Sequence, residues 1–118
     1  VMNEKITQIT RDHSLVEEMV RMGELEAAEA REHPDRNIIT RAIGATEEVV
    51  ADVFEAELKE QDTVLLCTDG LNNMLTDEEI LKIMNSGGEL ADRVTRLIEQ
   101  ANESGGKDNV TAIGIESY

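Results

Sequence analysis

The longest uninterrupted apolar stretch in this sequence is four residues, Val64 to Cys67, and Thr68-Asp69-Gly70 stops it at once. A helix that crosses a bilayer takes about 20 apolar residues, so no membrane span is expected. Thr63 to Thr68 is short and nearly all apolar, the pattern of a strand buried on both faces. Val49 to Leu58 alternates and reads as a second strand, with Gln61-Asp62 as the turn between them. Strands joined by so short a connection pair antiparallel, which favours an α+β layer arrangement over a doubly wound parallel sheet. With one Phe, one Tyr and no Trp among 118 residues, the core must be built from Ile, Val, Leu, Met and Ala.

The remaining elements follow from caps and periodicity. Glu4 to Thr10, carrying Ile6 and Ile9, reads as a short strand. Ser14 with Glu17 forms a capping box for a helix whose face is Leu15, Val16, Met19 and Val20, ended by Gly23. Glu24 to Glu32 is a second short helix, stopped by His33-Pro34. Thr76 with Glu79 opens a third, with Ile80, Leu81, Ile83 and Met84, and Gly87-Gly88 breaks it. Leu90, Val94, Leu97, Ile98 and Ala101 mark an amphipathic fourth helix. Ser104-Gly105-Gly106 is a loop, and Val110 to Ile115 is a closing strand. Arg36 to Ala45 carries no decisive pattern. No linker or repeat divides the chain, so residues 1–118 are expected to belong to one domain.

Charge narrows the partners. Eleven Lys and Arg stand against 26 Asp and Glu, a formal net charge of −15. Without a basic cluster, that balance argues against nucleic acid. An anionic substrate would need local positive charge, which a bound divalent cation supplies. The single cysteine, Cys67, permits no intrachain disulfide and points to a reducing, cytoplasmic setting. Cys67 has Asn73, not arginine, six residues on, so it lacks the phosphate-holding partner of a cysteine phosphatase and is expected to be a small buried apolar residue. Met19, Met22, Met74 and Met84 are expected to fill the core. His13 beside a helix cap suits a structural hydrogen bond, and His33 is expected on the surface. Neither Asp35 nor Asp69 has the glycine of an EF-hand loop, and two histidines and one cysteine give no zinc spacing.

Two acids have a distinctive setting. Asp69 ends the most apolar strand and precedes Gly70, which permits close approach to the main chain. Asp108 sits in a glycine-rich loop just before the last strand. Carboxylates held at strand ends suit a hard cation such as Mg²⁺ or Mn²⁺. Composition and spacing alone leave both Asp69-Gly70 and Asp108-Asn109 open between this role and ordinary turns.

Read together, the strings DHS (Asp12 to Ser14), HPDRNIITRAIG (His33 to Gly44), DTVLLCTDGL (Asp62 to Leu71) and GGKDNVT (Gly105 to Thr111) narrow that choice. In this order they closely resemble the carboxy-terminal half of bacterial PP2C (PPM) metal-dependent protein serine/threonine phosphatases, over essentially the whole chain. The resemblance implies part of an α-β-β-α sandwich with antiparallel sheets. It implies that Asp69 and Asp108 are ligands of Mn²⁺ or Mg²⁺, with Asn109 helping to fix its loop, and that residues 23–36 form a flap controlling substrate access. Phosphoproteins are the implied substrates, and a serine/threonine kinase is a partner the resemblance leaves open. The implied chemistry is in-line attack of water on the phosphorus of phosphoserine or phosphothreonine, with two metals supplying acidity and charge neutralisation.

The family's amino-terminal half is absent from these residues. With it go the phosphate-binding arginine, the DGxGG region, the histidine proposed as general acid, and the GDSR aspartate. The Val-Met start also reads as that of an excised piece. No catalytic residue beyond the two ligands is therefore assigned, and the chain alone is expected to be weakly active or inactive. Exposed sheet edges are expected to promote dimerisation, strand exchange or pairing with an amino-terminal fragment. The alternative is a non-catalytic interaction module of the pseudophosphatase kind. A haloacid-dehalogenase-type site fails because Leu71 stands where the second acid is needed.

Overall fold

The computed structural model describes residues 5–117. In chain order its elements are helix α1 (Leu15–Arg21), helix α2 (Ala27–Glu32), strand β1 (Thr63–Cys67), helices α3 (Asp69–Asn72), α4 (Asp77–Met84) and α5 (Leu90–Glu103), and strand β2 (Ala112–Glu116). They fall into two compact units. One comprises the residues before Gln8 with those from Glu57 on, and the other is Gln8–Ala56.

In the first unit β1 and β2 pair antiparallel, with Thr63 opposite Glu116, Leu65 opposite Gly114 and Cys67 opposite Ala112. Residues directly opposite share a face, and faces alternate along a strand. Leu65 and Gly114 therefore face the helices: Leu65 packs on the core, and a Cβ added at Gly114 would lie 3.0 Å from both Leu90 and Val94. Val64, Leu66, Ile113 and Ile115 form the opposite face, where the last three are 52, 55 and 50 % exposed. The sheet is thus covered on one side, and its other side is wholly aliphatic.

The core is Leu71, Leu75, Ile80, Met84, Leu97 and Ala101, flanked by Ile6, Leu65, Met74, Ile83, Leu90 and Val110. It is aliphatic, as the composition requires. Full burial of each of its leucines contributes about 1.5–3 kcal/mol. α4 starts with the complete Thr76–Glu79 capping box. The α4–α5 connection turns at Gly87 and Gly88, both at positive φ. Arg93 ties three elements together: Nη1 donates to the Met84 carbonyl at 3.0 Å, and Nη2 meets Glu116 Oε1 at 2.8 Å. A turn closes the far end of the sheet. There buried Asp62 accepts from the Lys59 amide at 2.8 Å through its carboxylate and from the Ser117 amide at 2.9 Å through its carbonyl.

In the second unit Ser14 caps α1, its hydroxyl accepting from the Glu17 amide at 3.2 Å. A short antiparallel contact lays 38–40 beside 13–15: the Leu15 amide donates to the Ile38 carbonyl, and the Thr40 amide to that of His13. α2 buries no residue and ends where His33-Pro34 stops it. Val16 is the buried hydrophobic residue of this unit among those described.

Five expectations are corrected. Residues 49–58 form no strand, and Val49, Val50, Val53 and Phe54 are 40–86 % exposed. Alternation describes a surface that suits a sheet, but a strand exists only where a neighbour takes its hydrogen bonds. The antiparallel partner of β1 is instead β2, reached through three helices. β1 is not buried on both faces, and Cys67 at its end is exposed. Met22, just past the end of α1, is 67 % exposed and fills no core. The strand expected at Glu4 to Thr10 begins outside the described residues, and from residue 6 to 10 the backbone is irregular. Among the described residues, no helix is long and apolar enough to cross a membrane.

Candidate metal centre

Asp69 and Asp108 both lie where β1 and β2 meet their loops, at the end of the sheet opposite the Asp62 turn. β1 stops at Cys67, and Thr68 turns the backbone to extended φ/ψ as the N-cap of α3. Asp69 is therefore the first residue of a helical turn rather than the corner of a plain turn. An acid in that place is favoured by the unpaired amides of a helix start. Asp108 sits four residues before β2 and folds back on its own loop, Oδ1 accepting from the Asn109 amide at 2.7 Å.

Thr68 joins the two segments. Its amide donates to the Thr111 carbonyl at 3.0 Å, its hydroxyl accepts from the Thr111 amide at 3.1 Å, and the same hydroxyl donates to the Asn109 carbonyl at 3.4 Å. Gly70 completes the contact from the other side of Asp69. It is buried, and a Cβ there would overlap the Asn109 carbonyl oxygen and lie 2.9 Å from its carbon. Asp69 is thus flanked by two residues that both touch the backbone next to Asp108. Positions separated by almost forty residues in sequence share one rigid corner, and both acids are solvent-exposed there.

The donor set is two carboxylates, which are hard oxygen ligands. Among the described residues, no group of three or more His, Cys, Asp and Glu side chains is arranged to hold a metal. Mg²⁺ is commonly held by one or two carboxylates, with waters and substrate phosphate oxygens filling the remaining positions. The residues present fit a divalent ion of that class and do not fit zinc. The clamp itself, Thr68 with Thr111 and Gly70 against Asn109, was not legible as such. Its only sequence signal is the adjacency of a threonine and a glycine to Asp69, and of a threonine to the Asp-Asn loop.

A second polar cluster lies in the other unit. His13 Nε2 meets Asp52 Oδ2 at 2.7 Å, and Arg41 Nη1 donates to Asp52 Oδ1 at 2.9 Å and to the Val50 carbonyl at 3.0 Å. The Arg41 hydrogen bond first, and that of His13 second, hold the Asp52 carboxyl below its ordinary range. The hydrogen-bonding role expected for His13 is what the structure shows, with a partner 39 residues away that nothing in the local sequence marks. His33 likewise makes a local contact, accepting at Nδ1 from the Asp35 amide at 3.0 Å.

Comparison with known proteins draws on the whole chain. The family profile described as "Stage II sporulation protein E (SpoIIE)" matches residues 23–117. The serine/threonine phosphatase stp of Listeria innocua is 40 % identical over 114 residues, covering 97 % of this chain and 45 % of that protein. The crystal structure of the serine/threonine phosphatase Stp1 from Staphylococcus aureus is similar over 100 % of this chain and 46 % of its own, with a TM-score of 0.96 and 36 % identity. The catalytic domain of the serine/threonine protein phosphatase PstP, solved in complex with two manganese ions, is similar with a TM-score of 0.74 and 34 % identity, over 95 % of this chain and 46 % of that one. The chain thus spans about half the length of the curated relatives it matches. On the profile match, the identities and the shared α+β architecture, the chain belongs to the SpoIIE/PP2C-type phosphatase domain family.

Proposed function

We propose that this chain is part of a protein serine/threonine phosphatase that hydrolyses phosphoserine and phosphothreonine esters, with Mn²⁺ or Mg²⁺ held in part by Asp69 and Asp108. The observation that carries the reading is the clamp: Thr68 and Gly70 fix the Asp69 backbone against the Asn109–Thr111 segment, so two hard ligands share one rigid corner. Rigid placement of this kind is what a metal ligand requires. Asp108 already gives Oδ1 to the Asn109 amide, which orients the carboxylate and leaves Oδ2 for a cation. When bound, the ion would supply Lewis acidity and the positive charge that a chain at −15 otherwise lacks for a phosphoester.

Two carboxylates hold only part of a two-metal centre, and the phosphate-binding arginine of the family has no counterpart in these residues. The 118-residue chain alone is therefore read as weak or inactive. The aliphatic face of Val64, Leu66, Ile113 and Ile115 is the surface on which the rest of a protein of the relatives' length would pack, sheet on sheet. Residues 23–36, which include α2, take the flap role toward phosphoprotein substrates.

Calorimetric titration of Mn²⁺ into the metal-stripped chain tests the reading, alongside p-nitrophenyl phosphate turnover. Measurable Mn²⁺ binding is expected, weakened at least tenfold in Asp69→Asn and in Asp108→Asn, with turnover near background. Binding unchanged in both variants would refute the metal site, and robust turnover lost in Asp69→Asn would refute the inactivity of the isolated chain. The bare aliphatic face also supports a second reading, a non-catalytic interaction module that binds a partner through it. Turnover by this chain joined to the amino-terminal half of one of its relatives, lost in Asp69→Asn, separates the two.

A further inference from the structure

The second unit carries a cavity of about 510 Å³ whose walls include Arg11, His13, Arg21, Thr40, Arg41 and Asp52. Its charge is at odds with its surroundings. Residues 8–56 hold five arginines, no lysine and twelve Asp and Glu, yet three of those five arginines line this one cavity. The acids on its wall are Glu18 and Asp52, and Asp52 is already taken by Arg41 and His13. That network gives the wall a fixed frame, since Arg41 also holds the Val50 carbonyl and His13 holds the Thr40 amide. Arg11 and Arg21 face the cavity with Glu18 as the remaining counter-charge.

Arginines lining one concave site suit a phosphoryl group, because guanidinium N–H donors fit its oxygens in pairs and it offers more charge and more oxygens than a carboxylate. A concave basic site within an acidic surface also draws anions selectively to itself. The volume is in the range that accepts a side-chain-sized ligand. We propose that this cavity is an auxiliary phosphoryl site, which binds a second phosphorylated Ser or Thr of a multiply phosphorylated polypeptide. The proposal rests on the phosphatase reading for its choice of a polypeptide ligand. The site itself uses none of the metal-centre residues.

The test is titration of the ¹⁵N-labelled chain, in EDTA and at fixed ionic strength, with inorganic phosphate, a phosphothreonine peptide and the same peptide unphosphorylated. EDTA removes any metal-borne phosphate affinity, so this experiment and the Mn²⁺ titration can fail independently. Phosphate and the phosphopeptide are expected to shift the signals of Arg11, Arg21, Thr40 and Arg41, with the phosphopeptide binding more tightly. Arg11→Gln with Arg21→Gln should weaken the phosphopeptide at least tenfold, and Asp69→Asn should leave it unchanged. Both arginines are exposed and outside the His13–Asp52–Arg41 network, so the double variant should keep its fold, which its amide spectrum verifies. Equal binding by the double variant, equal binding of the unphosphorylated peptide, or shifts that avoid these residues would each overturn the proposal.

Discussion

Gly70→Ala puts direct strain on the corner shared by the Asp69 and Asp108 segments, where a metal site is proposed. The added methyl carbon would overlap the Asn109 carbonyl oxygen and sit 2.9 Å from Asn109 C and 3.4 Å from Val110 Cγ2. Backbone atoms are the obstacle, so no rotamer change relieves the clash. For carbon and oxygen to regain contact distance, the two segments must part by roughly an ångström. That movement stretches the Thr68 hydroxyl bond to the Asn109 carbonyl, already 3.4 Å, and the Thr111 amide bond to the same hydroxyl at 3.1 Å. Overpacking of this kind costs about 1–3 kcal/mol, and losing a hydrogen bond adds about 1 kcal/mol, so a loss of about 3 kcal/mol is expected. The same separation moves Asp69 from Asp108, so Mn²⁺ affinity should fall in parallel. Gly114→Ala is the control: its obstacles, at 3.0 Å, are the Leu90 and Val94 side chains, which can yield. Urea unfolding of both variants, with Mn²⁺ titration, is the assay. A Gly70→Ala chain within 0.5 kcal/mol of wild type, or one no less stable than Gly114→Ala, would refute the close approach of the two segments.

Arg93→Ala should destabilise the chain by about 2 kcal/mol in urea unfolding, because it leaves the Met84 carbonyl and the Glu116 carboxylate without their donor. Glu116→Gln should cost less, since the amide oxygen still accepts from Arg93. Asp52 gives a pH dependence of definite sign. Its folded pKa is depressed by Arg41 and His13, so the unfolded state binds the proton more tightly. The stabilisation is therefore fully present above the unfolded aspartate value of about 3.9 and is lost as pH falls through the lower folded value. Stability measured from pH 5 downward should fall in wild type, and that component should vanish in Asp52→Asn.

The elements that were legible in the sequence carry their own local signals. α4 is bounded by a Thr76–Glu79 box and two glycines, and α5 by its apolar repeat, so both need only neighbours in sequence to declare themselves. The meeting of the Asp69 and Asp108 segments was legible for a different reason: each stands beside a strand end and a glycine, and the motif strings around them occur together. What escaped was contact at a distance. The Asp52 partner of His13 lies in the very segment, 49–58, whose alternation suggested a strand, and nothing in that pattern says whether a neighbouring strand exists to pair with it. The short-turn argument for antiparallel pairing reached the right sheet type through the wrong pair of strands.

The misreading of β1 is instructive in the same way. Val64, Leu65 and Leu66 have the composition of a strand covered on both sides, yet in this chain only the Leu65 side is covered. Apolar residues on both faces are what a strand lying between two layers carries. The same holds for β2, where Ile113 and Ile115 stand half exposed opposite Leu66 and Val64. Four aliphatic side chains in one plane, on a protein otherwise rich in charge, would be an association hazard if left bare. On the function proposed above, they are the seat of a second sheet. The corner shared by the Asp69 and Asp108 segments lies at the end of the same two strands, so under the function proposed above, a layer packed on that face would reach the corner and could bring further oxygen ligands to it.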